Sequence, residues 1–294
     1  MTWVNAIVQG ILLGGLYALF ATGLSLVFGV MRLVNLAHGD LIILAAFLSV
    51  TLVDFTGWNP LTTLVLVMPL MAVLGFALQY ALLNFTLDSG LAPLLATFGL
   101  SVIIQNALLE HYSPDVRGLD AGSIETESIT VSNEISVGWF PLITFAVAVV
   151  LLVGLQLVLR YTRLGRSLRA TSDDQRTARL MGIDNRKLFA IAMAMAMATA
   201  AIAGVFLGVR TSFVPSSGPD RLIFAFEAVI IGGLGSLWGT LAGGIVLGVA
   251  QTVGSEIGIH YIHSAGWGVL SGHLVFLAIL LVRPRGLFPG PDTK

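Results

Sequence analysis

Seven stretches of this chain contain no Asp, Glu, Lys or Arg: Met1 to Met31, Phe55 to Leu87, Ser89 to Leu109, Val137 to Leu159, Leu188 to Val209, Ala228 to Ser255 and Ile257 to Val282. A helix needs about 20 apolar residues to cross the hydrocarbon core of a bilayer. Most of the stretches reach that length, and some exceed it enough for a long, tilted or broken helix. The strands of a membrane β-barrel are far shorter and alternate, so the pattern excludes a barrel. Gly and Pro punctuate the stretches, at Gly57 and Pro60, Gly90 and Pro93, Pro141, Pro215 and Pro219, and Pro284. The spacing predicts spans at about 3–31, 40–54, 60–87, 91–111, 139–160, 188–211, 222–234, 236–256 and 265–282. The expected fold class is an all-α polytopic membrane protein with about 8–9 transmembrane or half-membrane helices, in a single domain over 1–294.

Composition agrees with this reading. Only 11% of residues are charged, against roughly 25% in a soluble domain. The absence of cysteine excludes disulfides, thiolate metal sites and thiol catalysis. The first apolar run lacks a basic leading region and is too long for a signal peptide core, so it reads as a retained span. No large soluble segment remains, so an energy source or soluble receptor is expected from another chain.

Charge then assigns the sides of the membrane. Residues 160–187 hold eight Lys and Arg against three Asp, and the tail adds Arg283, Arg285 and Lys294. Residues 113–138 hold five acidic residues against Arg117 alone. By the positive-inside rule the basic loop and the C-terminus face the cytosol, while 113–138 and the N-terminus face outward. Arg210 and Arg221 then fall outside, mildly against the rule. The outer segment ESITVSNEISV alternates and is β-branched, which predicts a short hairpin or strand. Its acidity suits either contact with a soluble partner or plain solvation. Residues 29–47 and 232–248 both place glycine-bearing breaks between apolar segments, a weak internal echo of the kind found in repeats.

The stretch RATSDDQRTARLMGIDNRK, 169–187, reads as a capped helix. Ser172 with Gln175 three residues on has the form of a capping box. Asp173 and Asp174 suit a first turn, Arg176 and Arg179 the other end, and Gly182 the residue just past it. The predicted helix runs from 173 to 181. It is too short to be stable alone and needs a surface, which can be the membrane, a groove in a partner, or its own chain.

Polar groups inside apolar spans are costly and are candidates for function. In RLVNLAHGD, Arg32, Asn35, His38 and Asp40 can line a re-entrant break near the cytosolic side. One His and one Asp do not make a metal site. Glu227 is a lone carboxylate that can face a path, carry a proton or hold a neighbouring helix. Asn106 and Glu110 share a helix face, and hydrogen bonds between helices account for them and for Gln105. His260, His263 and His273 are scattered. Glycine pairs four apart, Gly10 with Gly14, Gly235 with Gly239, Gly239 with Gly243 and Gly244 with Gly248, predict closely packed helices.

Three ordered blocks resemble one family. GLYALFATGLSLVFGVMRLVNLAHGDLIILAAF (15–47), RATSDDQRTARLMGIDNRKLFAIAMAMAMATAAIAGVFLG (169–208) and AVIIGGLGSLWGTLAGGIVLG (228–248), with the ending RPRGLF (283–288), are similar to the LivH-type permeases of branched-chain amino acid ABC transporters. The resemblance implies an ABC importer permease fold in a prokaryotic inner membrane, and alternating access as the transport mechanism. It implies that 171–187 is a coupling helix seated in an ATPase groove, with Asp173, Asp174, Ala178, Leu180, Met181, Gly182 and Ile183 as contact candidates. Asn35, His38, Gly39, Asn106, Glu227, Gly232, Gly233 and Gly235 become candidates for the translocation path. The implied partners are a second, LivM-like permease, two LivG- and LivF-like ATPases, an extracytoplasmic solute-binding protein, a small solute and membrane lipid, with no nucleic acid. Members of this family move leucine-like amino acids, urea, amides or aromatic acids, and selectivity is often left to the binding protein. The chain itself lacks G-x-x-x-x-G-K-[ST], so no cofactor and no catalytic residue is expected in it, and ATP and Mg belong to the partners. His38 and Asp40, two apart on a helix, point away from each other and do not form an enzyme site. An ion-coupled secondary transporter or a passive channel is the alternative.

Overall fold

The computed structural model describes residues 2–86, 91–132 and 135–288. Gly90, Glu134, Lys294 and the end of the third predicted span at 87 lie outside the described residues. In chain order the elements are α1 (Thr2–Met31), α2 (His38–Thr56), α3 (Pro60–Ala81), α4 (Ala92–Tyr112), a single turn α5 (Ser123–Thr126), strands β1 (Ser128–Ser132) and β2 (Ile135–Gly138), α6 (Trp139–Tyr161), α7 (Arg163–Asp173), α8 (Gln175–Leu180), α9 (Asn185–Arg210), α10 (Gly218–Gly232), α11 (Leu237–Ile257) and α12 (Trp267–Val282). Among the described residues seven helices are long and apolar enough to cross a membrane, and the 16-residue α12 and 15-residue α10 are shorter. The predicted hairpin is present, with β1 and β2 antiparallel.

Cross-links show the two ends of the bundle. At one end Gln9 Nε2 donates to Ser136 O at 2.7 Å, and Leu119 N to Gly208 O at 2.8 Å, so the start of α1 and the end of α9 meet the hairpin segment. At the other end Ser172 Oγ, from the basic loop, donates to Gly29 O at 2.8 Å. Helices α1 and α9 therefore run in opposite directions, and the acidic and basic segments lie at opposite ends. These two helices form the core: 83% of the apolar stretch of α1 and 72% of that of α9 are buried, against 22% in each of α3, α4 and α6. An apolar outer ring of this kind suits hydrocarbon, which asks nothing polar of it.

Two segments fold back into the bundle. Met31 ends α1, yet His38, seven residues on, lies beside Phe20 near the middle of that helix, with Nε2 donating to Phe20 O at 2.8 Å. Likewise α9 ends at Arg210 on the hairpin end, yet Gly218 packs on Gly39 and Asp40, while Gly204 of α9 packs on Ile42, Ala45 and Ala46. Helices α2 and α10 thus meet at their N-termini, where Gly39 and Gly218 leave no room for a Cβ.

The packing repeats. Helix α11 lies on α1 and α3 lies on α9, while α10 packs on α1 and α2 on α9. The unit α1–α4 is matched by α9–α12 with inverted direction, an inverted repeat. The repeat relates 32–40 to 211–220. The echo read between 29–47 and 232–248 set the wrong segments together, because glycine content followed helix packing and not the repeat. The predicted glycine pairs do mark close approaches. Gly244 and Gly248 of α11 face Gly10, Gly14 and Ala18 of α1, and Gly239 and Gly243 face Gly232 and Ala228 of α10.

Candidate functional site

The basic loop holds two helices where one was expected. Thr162 Oγ1 accepts from Gly165 N at 3.1 Å and starts α7. Ser172 is not an N-cap, since it lies in the last turn of α7 and its hydroxyl is spent on Gly29 O. Asp174 takes the capping role instead. Its Oδ1 accepts from Arg176 N at 2.8 Å and Thr177 N at 3.2 Å, and its Oδ2 from Thr177 Oγ1 at 2.6 Å. The expected helix 173–181 is therefore split: Asp173 closes α7, and α8 is the six residues Gln175–Leu180. Gly182 does terminate it, at φ 83, with Gly182 N donating to Arg179 O and Ile183 N to Ala178 O, both at 3.0 Å.

Packing pins α8 from one side. Ala178 is buried, Ile183 rests against the core, and Asn185 Nδ2 donates to Gln175 O at 2.9 Å. The other side is open. Leu180 is 87% exposed and Met181 79% exposed, beside exposed Asp173, Asp174 and Gly182. Two large apolar side chains stand at the tip of a helix too short to persist without its caps.

The Thr177 hydroxyl, then the backbone N–H groups of Thr177 and Arg176, hold the Asp174 carboxyl below its ordinary 3.8. A carboxyl with a lowered folded pKa stabilises the fold fully above its unfolded pKa and ceases to as pH falls through the folded one. Asp174→Ala is thus expected to speed amide hydrogen exchange across 175–181 at neutral pH. The native loop should lose protection to the same degree, relative to the intrinsic rate at each pH, only in acid, below about pH 4. Equal exchange in both proteins at neutral pH would show that the cap holds nothing.

Inside the membrane, polar side chains pair across helices. Asp40 Oδ2 accepts from Ser101 Oγ at 2.5 Å, and Gln105 Nε2 donates to the same Ser101 Oγ at 3.1 Å. The other Asp40 oxygen lies against Gly218, at the N-terminus of α10, where the helix dipole favours negative charge. Ser101→Ala strips a buried carboxylate of a donor, which typically costs about 1–3 kcal/mol. A lower unfolding midpoint in detergent, restored by Ser101→Thr, is the expected result. Asn35 Oδ1 accepts from Ala37 N at 3.0 Å, so Asn35, His38 and Gly39 all shape the re-entrant turn. Asn106 is exposed and donates to Val102 O of its own helix, so interhelical bonding does not account for it.

Glu227 is no lone carboxylate. Its Oε1 meets His273 Nδ1 of α12 at 2.5 Å, with Glu227 5% and His273 37% exposed at the side chain. Phe224 stacks on His273 at 6.1 Å and lies 5.2 Å from Tyr17, whose hydroxyl donates to Gln251 Oε1 at 2.5 Å. Arg210 and Arg221 are both partly buried: Arg210 ends α9, and Arg221 lies one turn into α10, inside the bundle and not at the end where the sequence reading placed it. Sequence reading missed His273, Tyr17, Gln251 and Ser101 as partners, because no spacing links residues 46 or 234 positions apart. Gly232 and Gly233 end α10 and, with Gly235, form the turn beneath it, against Gly29 and Gly286. Among the described residues no group of three His, Cys, Asp or Glu is placed to hold a metal.

Comparison with known proteins extends the picture. Residues 6–282 match the family described as "Branched-chain amino acid transport system / permease component". The high-affinity branched-chain amino acid transport system permease protein BraD of Pseudomonas aeruginosa is 28% identical, over 99% of this chain and 97% of BraD. The corresponding LivH protein of Escherichia coli K12 is 29% identical, over 97% of this chain and 95% of LivH. The LivM protein of the same organism is 26% identical, over 93% of this chain and 68% of LivM.

Proposed function

The chain belongs to the permease-component family of branched-chain amino acid transport systems, and we propose that its cargo is a branched-chain amino acid or a closely related small solute. It is the membrane-spanning permease subunit of an ABC importer. In our reading it pairs with a second permease, since both LivH and LivM are similar to it. Two ATPases bind at the basic end, which faces the cytosol, and a solute-binding protein docks at the acidic hairpin end. The chain binds no nucleotide itself. ATP and Mg sit on the ATPases.

The observation that carries this reading is the Leu180–Met181 pair on α8. An exposed apolar tip on a helix held by Asp174, Gly182 and Asn185 is a preformed plug for a groove. Helix α7 ties the plug to α1 through Ser172, so a push on α8 reaches the core helix directly. Alternating access follows when ATP closes the ATPases and drives both plugs. Asp173, Asp174, Ala178, Gly182 and Ile183 shape the plug, and Leu180 and Met181 enter the groove.

For the path we assign Glu227 with His273, which leads from a buried carboxylate to a half-exposed imidazole, and Asn106 on the open face of α4. Asn35, His38 and Gly39 frame the path from the re-entrant turn, and Gly232, Gly233 and Gly235 do so at its cytosolic mouth. Glu227→Ala is expected to cut uptake by roughly tenfold or more, the factor that 1.4 kcal/mol represents, with insertion unchanged. The test is uptake of labelled leucine into proteoliposomes holding the whole transporter, with urea, a short amide and an aromatic acid as competitors. Uptake that persists without the ATPases would mean an ion-coupled carrier or a channel. Competition by urea but not by valine would overturn the substrate.

A further inference from the structure

A cavity of about 550 Å³ opens at the basic end of the bundle, between the last turns of α1, the end of α6, helix α7 and the turn 234–237. Three cations line it: Arg32, Arg160 and Arg169. Asp173 is the one carboxylate among the lining residues. Its walls are otherwise largely apolar, with Leu26, Phe28, Leu168 and Leu237. Ser25, 1% exposed, also lines it, and its Oγ has no hydrogen-bond partner. Arg32 sits at φ 53, a left-handed conformation that is uncommon outside glycine and that a local demand must hold in place.

We propose that this cavity binds the phosphate headgroup of an anionic phospholipid, with its acyl chains lying against α1 and α6. Arg160 ends α6 and Arg32 follows the end of α1, the depth at which hydrocarbon gives way to headgroups. Basic pockets between helices at that depth suit phosphodiesters, whose charge meets guanidinium in paired hydrogen bonds. A lining that sets guanidinium groups over apolar walls fits an amphiphilic anion. It does not fit a small zwitterion, which carries no net charge and no long tail. The proposal rests on the orientation given above only for which leaflet supplies the lipid.

The site has a consequence for coupling. Leu168, Arg169, Ser172 and Asp173 of α7 form one wall, and α8 hangs from the end of α7. A bound headgroup therefore braces α7 against α1 and α6, so the plug transmits force instead of tilting. ATP-driven uptake is expected to depend on anionic lipid.

The test uses the complete transporter. Native mass spectrometry counts the phosphatidylglycerol kept by the permease after detergent purification. Uptake is then compared in vesicles of phosphatidylcholine alone and of phosphatidylcholine with phosphatidylglycerol. The native permease should keep a lipid that the Arg32→Gln, Arg160→Gln double variant loses, and the matched Lys double variant should keep it. Arg163→Gln with Arg166→Gln, on α7 but outside the cavity lining, should keep it too. Equal loss in both glutamine pairs would reduce the effect to general surface attraction and overturn the site. Displacement of the lipid by inorganic phosphate alone would assign the pocket to a free anion, and that too would overturn the proposal. Lipid is counted on the permease itself, so a failure of uptake in every vesicle would count against the transport reading and leave the lipid result standing.

Discussion

Leu180→Asp with Met181→Asp is expected to leave the permease inserted and folded, and to strip it of the proposed ATPase partner and of ATP-driven uptake. Neither side chain supports the fold, since both project from α8 almost fully exposed. In an ATPase groove two carboxylates would have to be desolvated without counter-charges, and burying a charge in that way costs several kcal/mol. A cost of that size removes a complex of ordinary affinity, at tenfold for each 1.4 kcal/mol. Co-purification of tagged permease with its ATPases reads the first effect and leucine uptake reads the second. Should the ATPases stay bound and uptake survive, α8 is a surface helix and the coupling assignment is wrong.

The second large effect lies in the core. Gly248→Val should prevent a stable bundle. A Cβ on Gly248 would stand 2.7 Å from Gly14 N and 3.1 Å from Gly14 Cα, and one on Gly244 would stand 2.6 Å from Gly14 O. These neighbours are backbone atoms, which no rotamer change can move aside. The two helices would have to separate along their length. The cost should exceed the ~1–3 kcal/mol typical of overpacking by side chains. Gly99→Val and Gly154→Val provide the control, since nothing lies within 4 Å of a Cβ at either position. Thermal unfolding in detergent, followed by size-exclusion chromatography, separates the outcomes. A Gly248→Val protein with native stability would mean that α1 and α11 do not approach as described.

The membrane class, the hairpin and most span boundaries were legible because each follows from a local run of one residue type. The α2 span was read as 40–54 and is His38–Thr56, and the α10 span was read as 222–234 and is Gly218–Gly232. What stayed hidden is how far the chain turns back. Hydropathy registers that 32–37 interrupts an apolar run. It does not register that His38 returns to Phe20, because that bond joins residues 18 positions apart on opposing segments. The capping box failed for a related reason. Ser172 has the right neighbours along the chain, but α1 competes for its hydroxyl across 143 residues. Glu227 likewise looked isolated until α12 brought His273 to it.

The inverted arrangement of α1–α4 and α9–α12 has an energetic meaning. One unit points α2 toward one end of the bundle, and the other points α10 toward the opposite end. If the two units exchange conformations, the chain as a whole goes from open on one side to open on the other while its internal contacts keep nearly the same inventory. Two states built from one set of contacts would lie close in free energy, and the resting protein would be a near-balanced lever. The work of the nucleotide is then spent on choosing a direction, and little of it on strain.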